Sequence, residues 1–84
     1  MNVYPNPADG HFTIHLVLNN RAEGNVLIQV YNSLGQAIQE ETVPIVAGDL
    51  VKDLWFDKSD EPGVYFIHVV FNDQAFDQQL IYQR

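Results

Sequence analysis

Residues 11–18, HFTIHLVL, alternate in polarity and decide the class of fold. In an extended chain, successive side chains point to opposite faces, so this segment has one apolar face and one mixed face. A period of two is typical of a half-buried antiparallel strand. The segment is therefore predicted to be a strand whose apolar face covers a core. That face carries Phe12, Ile14, Leu16 and Leu18, and the opposite face carries His11, Thr13 and His15.

The rest of the chain repeats this pattern between turn residues, and no segment carries a helical apolar stripe. Predicted breaks fall at residues 32–35, at Pro44, at 47–49, in the polar loop 57–63 and at 72–74. Strands are therefore predicted at 3–4, 11–18, 25–31, 36–43, 50–56, 64–71 and 75–83. Their expected inward side chains are Val26, Ile28, Val30, Leu50, Leu54, Phe56, Tyr65, Ile67 and Val69.

About seven short strands at a spacing of 8–12 residues predict an all-β fold. The expected architecture is an immunoglobulin-like antiparallel β-sandwich, in which two sheets bury their apolar faces against each other. The segment 64–71 is apolar on both faces, which predicts a central strand. This class of fold hosts many activities, so function must be argued from particular residues.

The composition restricts the function further. The 84 residues form one small domain, 1–84, which we expect to have been excised from a larger secreted protein. A net charge of −7 disfavours binding to nucleic acid or to anionic lipid. No stretch is long and apolar enough for membrane insertion, and no signal peptide is recognisable. The absence of cysteine excludes a disulfide scaffold and thiolate ligands.

The residues that could bear catalysis or ligands do not form a recognisable site. His11 and His15 share a strand face but lie about 14 Å apart at the rise of a strand, too far to share a metal. The acidic loop with Asp57, Asp60 and Glu61 lacks the spacing of a calcium loop, so a solvated loop is expected. We therefore predict no enzyme activity, no metal and no cofactor. The two serines, Ser33 and Ser59, lie in turns without a nucleophile motif.

Trp55 is the single tryptophan, and it falls on the face opposite the core of its predicted strand. It could stack on a sugar or on a partner protein, or it could be half-buried beside a neighbouring strand. The second interpretation is favoured, because large aromatic side chains are mostly buried.

Four short motifs, taken in order, resemble a known family. They are an opening VYPNP followed by Gly10, a Tyr-Asn-x-x-Gly that ends at Gly35, a Pro-Gly-Val-Tyr that contains Gly63 and Tyr65, and a last apolar strand that ends with Arg84. This set resembles the C-terminal sorting domain of proteins secreted by the type IX system of Bacteroidetes, the Por secretion tail family. The family positions expected here are Tyr4, Pro5, Asn6, Pro7, Gly10, Gly35, Gly63, Tyr65, Leu80, Ile81 and Arg84.

The resemblance implies an immunoglobulin-like fold and a role as a secretion signal. In that family the domain directs a cargo, which lies N-terminal to it, from the periplasm across the outer membrane. A sortase-like peptidase then cuts upstream of the domain, here before Val3, and the cargo is secreted or held at the cell surface. The implied partners are therefore the type IX translocon, the peptidase and the cargo. The alternative is a fibronectin-like accessory or adhesion module that binds glycan or protein on an extracellular enzyme.

The chain departs from the family pattern at two places. An apolar residue often precedes the Pro-Gly-x-Tyr motif, but Ser59, Asp60 and Glu61 stand here, which predicts a longer and looser loop. Gln78 and Gln79 replace a lysine at the last strand, and Arg84 could substitute for it. We also expect the backbone of residues 80–84 to lie at a free sheet edge, where a partner could add a strand. The core could hold Tyr65 with its hydroxyl bonded to nearby backbone, as corner tyrosines are in sandwiches.

Overall fold

A computed structural model describes residues 1–19 and 21–84, and within them it contains seven strands and no helix. The predicted number of strands is confirmed, and every predicted bound agrees to within two residues. No helix in these residues is long and apolar enough to cross a bilayer. The strands are β1 (Asn2–Tyr4), β2 (His11–Val17), β3 (Gly24–Tyr31), β4 (Ala37–Ile45), β5 (Asp49–Trp55), β6 (Gly63–Phe71) and β7 (Gln74–Tyr82).

The strands form two antiparallel sheets. One has three strands in the order β1-β2-β5, and the other has four in the order β4-β3-β6-β7. Sequential hairpins join β3 to β4 and β6 to β7, while the chain changes sheet between β2 and β3, between β4 and β5, and between β5 and β6. The all-β, immunoglobulin-like sandwich predicted from the alternation is therefore confirmed.

The core lies between the sheets and consists of the predicted inward faces. The β2 side chains Phe12, Ile14 and Leu16 are fully buried. Leu18 is only partly buried, because β2 ends one residue before it. Across the interface, the four-stranded sheet contributes every predicted residue, and all of them are buried: Val26, Ile28, Val30, Tyr65, Ile67 and Val69.

The prediction that Pro44 ends its strand is wrong. Pro44 lies inside β4, opposite Asn25 of β3. β4 is an edge strand, and a proline there places its missing N–H on the open side of the sheet without breaking the ladder. The strand therefore continues to Ile45, which is buried.

The second departure concerns the outer face of β6. β6 is central in its sheet, as predicted, but no further layer covers its outer face. Phe66 on that face is 44% exposed, and the neighbouring Ile81 of β7 is 37% exposed. The double-sided apolar pattern of β6 therefore marks both a central strand and a partly open apolar surface.

A tight turn carries the chain from β4 to β5 and closes the end of the sandwich next to Leu18 and Ala22. Ala47 and Gly48 have φ values of 55° and 75°. The Gly48 N–H donates to the carbonyl of Ala22 at 2.8 Å, and the Leu18 N–H donates to the carbonyl of Gly48 at 2.7 Å. Gly48 therefore joins two loops through its backbone, and a Cβ added to it would collide with the carbonyl oxygen of Leu18.

We predict that Gly48→Ala destabilises the fold more than Gly35→Ala. Gly35 has a φ of 83°, and a Cβ there meets no atom within 4 Å. G35A should therefore lower the free energy of unfolding only by the cost of placing a residue with a Cβ at positive φ, about 1–2 kcal/mol. G48A adds overpacking against a carbonyl and should cost roughly 1–3 kcal/mol more. Urea unfolding of both variants measures the difference, and equal midpoints would contradict the close approach at Gly48.

Candidate functional site at the joined chain ends

The opening segment crosses from one sheet to the other and lies along the last strand. It leaves β1 at Tyr4, and both the Tyr4–Pro5 and the Asn6–Pro7 peptide bonds are cis. The Asn6 side-chain amide then bonds the backbone of β7 twice. Its Nδ2 donates to the carbonyl of Gln79 at 3.0 Å, and its Oδ1 accepts from the N–H of Ile81 at 3.0 Å. The side chain of Asn6 thus takes the place of a neighbouring strand's backbone.

Ala8 continues the same pairing with its own backbone. Its N–H donates to the carbonyl of Ile81 at 2.8 Å, and its carbonyl accepts from the N–H of Gln83 at 2.8 Å. Ala8 is buried and forms a parallel bridge with Tyr82. We call these four hydrogen bonds, which join Asn6 and Ala8 to residues 79–83, the terminal clasp.

The terminal clasp overturns the expected site of strand addition. The outward-facing groups of residues 80–84 were expected to be free for a partner strand. The carbonyl of Gln79, both backbone groups of Ile81 and the N–H of Gln83 are instead bonded within the domain. A partner could add a strand there only by displacing the opening segment.

An aromatic cluster lies next to the terminal clasp, between the sheets. The rings of Phe56 and Tyr82 are stacked with centroids 4.2 Å apart, and Tyr65 packs against Phe56 at 4.7 Å. Phe12 touches Phe56 from β2 at 5.2 Å. The Phe56 N–H also donates to the carbonyl of Gly10 at 2.8 Å. The cluster therefore joins the start of β2, the end of β5, β6 and the end of β7.

Tyr65 makes the predicted hydrogen bond from its hydroxyl to nearby backbone, as a corner tyrosine does. Its hydroxyl donates to the carbonyl of Glu61 at 2.5 Å, and its ring is buried. Burial raises the pKa of the Tyr65 phenol, and the nearby carboxylates of Asp60 and Glu61 raise it further. The phenol therefore stays protonated and remains a donor at neutral pH. Gly63 has a φ of 152°, a backbone conformation that favours glycine, as the turn before β6 requires.

Arg84 holds the acidic loop from the other side. Its guanidinium donates to the carbonyls of Lys58 at 2.9 Å and Asp60 at 2.5 Å. Its Nε also donates to the Tyr82 hydroxyl at 3.3 Å, a contact that raises the pKa of Arg84. Arg84 and Tyr65 together bond three carbonyls of the loop that the sequence predicted to be longer and looser.

The structure brings nearly all the motif residues to one end of the sandwich, which we call the motif pole. This pole contains the terminal clasp, the loop of residues 57–63 and the turn of residues 32–35. In that turn the side-chain oxygen of Asn32 accepts from two backbone N–H groups, and the N–H of Gly35 donates to the carbonyl of Asn32. A groove of about 300 Å³ separates the turn from the loop, and it is lined by Leu34, Ile38, Asp60, Glu61 and Val64 among others.

Other polar groups form pairs on the outer faces of the sheets. Each histidine lies beside one aspartate, with nitrogen–oxygen distances of 3.3, 2.8 and 2.5 Å; the pairs are His11–Asp53, His15–Asp49 and His68–Asp77. The Thr13 hydroxyl donates to Asp53 at 2.6 Å and is the main cause that lowers the pKa of that carboxyl. Within residues 1–19 and 21–84, no group of three or more potential ligands could hold a metal ion.

The prediction that Trp55 is half-buried is wrong. It faces outward, as predicted, but it is 62% exposed. Its only aromatic neighbour among the described residues is His11, at a centroid distance of 4.9 Å. β5 is an edge strand of a sheet with three strands, so no further strand lies beside Trp55 to cover the indole.

Sequence reasoning missed the roles of Asn6 and Ala8. Asn6 was named only as a family position, and Ala8 was given no role, yet together they join the opening segment to the last strand. The available signal was an asparagine held between two prolines, because such a residue presents its side-chain amide in a restricted geometry. Its partners 73 and 75 residues away left no local signal.

The geometry defines a small β-sandwich whose motif residues converge on one surface, built where the opening segment meets the last strand. A family profile described as the secretion system C-terminal sorting domain matches residues 2–83. The chain therefore belongs to this family, the sorting domains of type IX secretion. A search of the curated proteins and a search of the solved structures each returned no match.

Membership establishes the function at a coarse level. The domain is a C-terminal sorting signal of the type IX secretion system, and it implies contact with that machinery and a cargo N-terminal to it. It also implies export to the cell surface or secretion. The family is not a family of enzymes.

We predict that Asn6→Ala weakens the terminal clasp. The change removes two hydrogen bonds and leaves the carbonyl of Gln79 and the N–H of Ile81 without these partners, so a loss of about 1–3 kcal/mol is expected. Hydrogen exchange at the Ile81 amide should also accelerate relative to the centre of β6. Asn25→Ala, at an exposed site on β3, is the control and should leave both quantities nearly unchanged. Equal exchange at Ile81 in N6A and in the parent would argue against the clasp.

We predict that Tyr65→Phe lowers stability by about 1–2 kcal/mol at neutral pH, because the carbonyl of Glu61 loses its donor. The pKa of Tyr65 is higher in the folded state than in the unfolded state, where it is about 10. The stability that the protonated phenol contributes is therefore complete below the unfolded-state pKa and is lost as the pH rises through the folded-state pKa. The alkaline decline in stability should therefore be smaller in Y65F. Tyr4→Phe, an exposed position, is the control. Urea unfolding between pH 7 and 11 measures this difference. If the free energy of unfolding falls equally with rising pH in Y65F and in the parent, this linkage is ruled out.

Proposed function

We propose that this domain directs a cargo protein from the periplasm across the outer membrane through the type IX machinery, and that a sortase-like peptidase then removes the domain. The machinery recognises the folded motif pole. The observation that carries the proposal is the convergence of the motif residues there, with the terminal clasp, the Tyr65 corner and the Arg84 contacts as its fixed elements.

The motif pole suits recognition because its shape is set by several bonds at once. Arg84 and Tyr65 both bond carbonyls of the loop, and Asn6 fixes the chain that passes beside it. Binding a prearranged surface costs less ordering entropy than binding a flexible peptide. A rigid pole of this kind therefore favours recognition of the folded domain over recognition of an unfolded tail.

The position of β1 leaves the motif pole accessible when a cargo is attached. Asn2 lies opposite His15, four residues along β2 from His11 at the pole. At the rise of a strand this is about 14 Å, so a cargo joined before Asn2 enters away from the pole. A cut upstream of Val3 would also leave the terminal clasp intact, because Asn6 and Ala8 follow it in the chain.

A transplant tests the sorting function. Residues 1–84, with a linker, are fused behind a periplasm-targeted fluorescent protein in a Bacteroidetes host with or without a working type IX system. Reporter outside the outer membrane only in the competent host, and shortened by about the 9.6 kDa of the domain, would support a cleavable signal. Reporter retained in the periplasm of both hosts would count against sorting and return attention to an attached adhesion module.

We predict that Arg84→Ala in this fusion reduces the exported reporter by about fivefold or more, corresponding to about 1 kcal/mol of recognition. The change frees the carbonyls of Lys58 and Asp60 and so loosens the loop at the motif pole. Arg21→Ala removes the same charge away from the motif pole and should export like the parent. Export of R84A at the level of R21A would show that the machinery does not depend on this part of the pole.

A further inference from the structure

The strand that opens the domain is shorter than the strand with which it pairs. β1 has three residues, and β2 has seven. Their pairing runs from Asn2, opposite His15, to Tyr4, opposite Thr13. Among the described residues, the last part of β2, up to Val17, therefore has no neighbouring strand on the side of β1.

The backbone of Val17 faces this unpaired side of β2. At one end of the β2–β5 pair the Leu18 N–H donates to the carbonyl of Gly48, and at the other end the carbonyl of Gly10 accepts from the N–H of Phe56. Because backbone direction alternates along an antiparallel strand, the even-numbered residues of β2 bond to β5 and the odd-numbered ones point toward β1. Val17 is odd-numbered and lies beyond the start of β1, so β1 supplies no partner for its N–H and carbonyl.

A groove lies beyond the start of β1, at the end of the sandwich opposite the motif pole. It has a volume of about 460 Å³ and lies between the end of β2 and the hairpin that joins β6 to β7. Leu18 and Ala22 line one side of it, and Phe71 and Phe76 line the other. β1 also faces β7 across the two sheets. A chain that extended β1 upstream along β2 would therefore enter this groove.

The first residues of the domain already show the side-chain alternation that such an extended strand requires. Val3 is buried and Tyr4 is exposed. Met1 packs partly buried against the core, and the register of β1 continued by one residue places it opposite Leu16. By the same alternation, the next position upstream lies opposite Val17 on the outer face, and the position before that points inward, toward the groove.

We propose that the segment that precedes Asn2 in the secreted precursor, which we call the upstream segment, continues β1, bonds the backbone of Val17 and places an apolar side chain in the groove. Membership of the family implies a cargo N-terminal to the domain, so a covalently attached segment enters at this point. Its register on β2 is already fixed by β1. Its attachment also keeps it near the groove at an effective concentration on the order of millimolar, which favours it over a partner from solution. The inference goes beyond the proposed function, because it concerns how the cargo is joined to the domain.

The test compares amide hydrogen exchange in the precursor, with its natural cargo and upstream segment, and in residues 1–84 alone. The N–H of Val17 should exchange about tenfold or more slowly in the precursor, the protection that about 1.4 kcal/mol of pairing provides. The matched control is Val51 on β5. It lies opposite the odd-numbered His15, so its N–H faces away from β2 at the outer edge of the same sheet. The Val51 amide should exchange at the same rate in both proteins.

A pair of proline variants tests the same contact in the precursor. Val17→Pro removes the N–H that faces the upstream segment and leaves the β2–β5 ladder intact, and Val51→Pro removes an N–H at the opposite edge of the sheet. Limited proteolysis of the upstream segment follows the population in which that segment has left β2, so it should become about tenfold faster in V17P and stay at the parental rate in V51P. Thermal unfolding checks that both variants fold, and the exchange measurement needs neither of them.

Three results would overturn the proposal. Equal exchange at Val17 in the precursor and in residues 1–84 would show that the upstream segment does not pair with β2. Equal slowing at Val17 and Val51 would show that the cargo covers the sheet without adding a strand. Slow exchange at Val17 in residues 1–84 that depends on protein concentration would mean that a second copy covers this edge. None of these measurements involves export, so the sorting function is tested separately by the transplant.

Discussion

The terminal clasp is the interaction on which the arrangement of the motif pole depends. β7 is an edge strand that ends the chain, and such strands fray unless they are tied down. Four hydrogen bonds from Asn6 and Ala8 hold its end at three positions within residues 79–83. They keep Tyr82 in the aromatic cluster and Arg84 against the acidic loop. The position of the loop follows from that of the last strand.

Each of these motif residues stabilises a particular backbone arrangement, and together these arrangements form the surface of the motif pole. Tyr65 satisfies a loop carbonyl, Gly63 supplies a backbone conformation that other residues avoid, and Asn6 replaces a strand. None of these tasks is a chemical reaction, and each affects the shape of the motif pole. On the proposed function, these tasks matter because they set the shape of the surface that the secretion machinery recognises.

The sequence was sufficient to predict what depends on local patterns. Alternation at residues 11–18 and 64–71 predicted the strands and the buried faces, and the tyrosine after Pro-Gly predicted a hydroxyl bonded to nearby backbone. The sequence-based prediction was wrong where a residue's environment depends on the order of strands in the sheets. The place of Pro44 within a strand and the exposure of Trp55 both follow from edge positions, which alternation does not reveal. The contacts of Asn6 and Arg84 depend on partners 24 to 75 residues away.

The span of the terminal clasp also determines when the domain can be completed. Asn6 bonds residues 73 and 75 positions later, so the clasp cannot form until residues 79–83 have been synthesised and are free to fold. Contacts between such distant residues close a long loop and are assembled late in folding. A product of premature termination that lacks residues 79–83 retains the opening motif but has no strand for it to pair with. The opening motif therefore takes its folded arrangement only in a domain that contains the last strand.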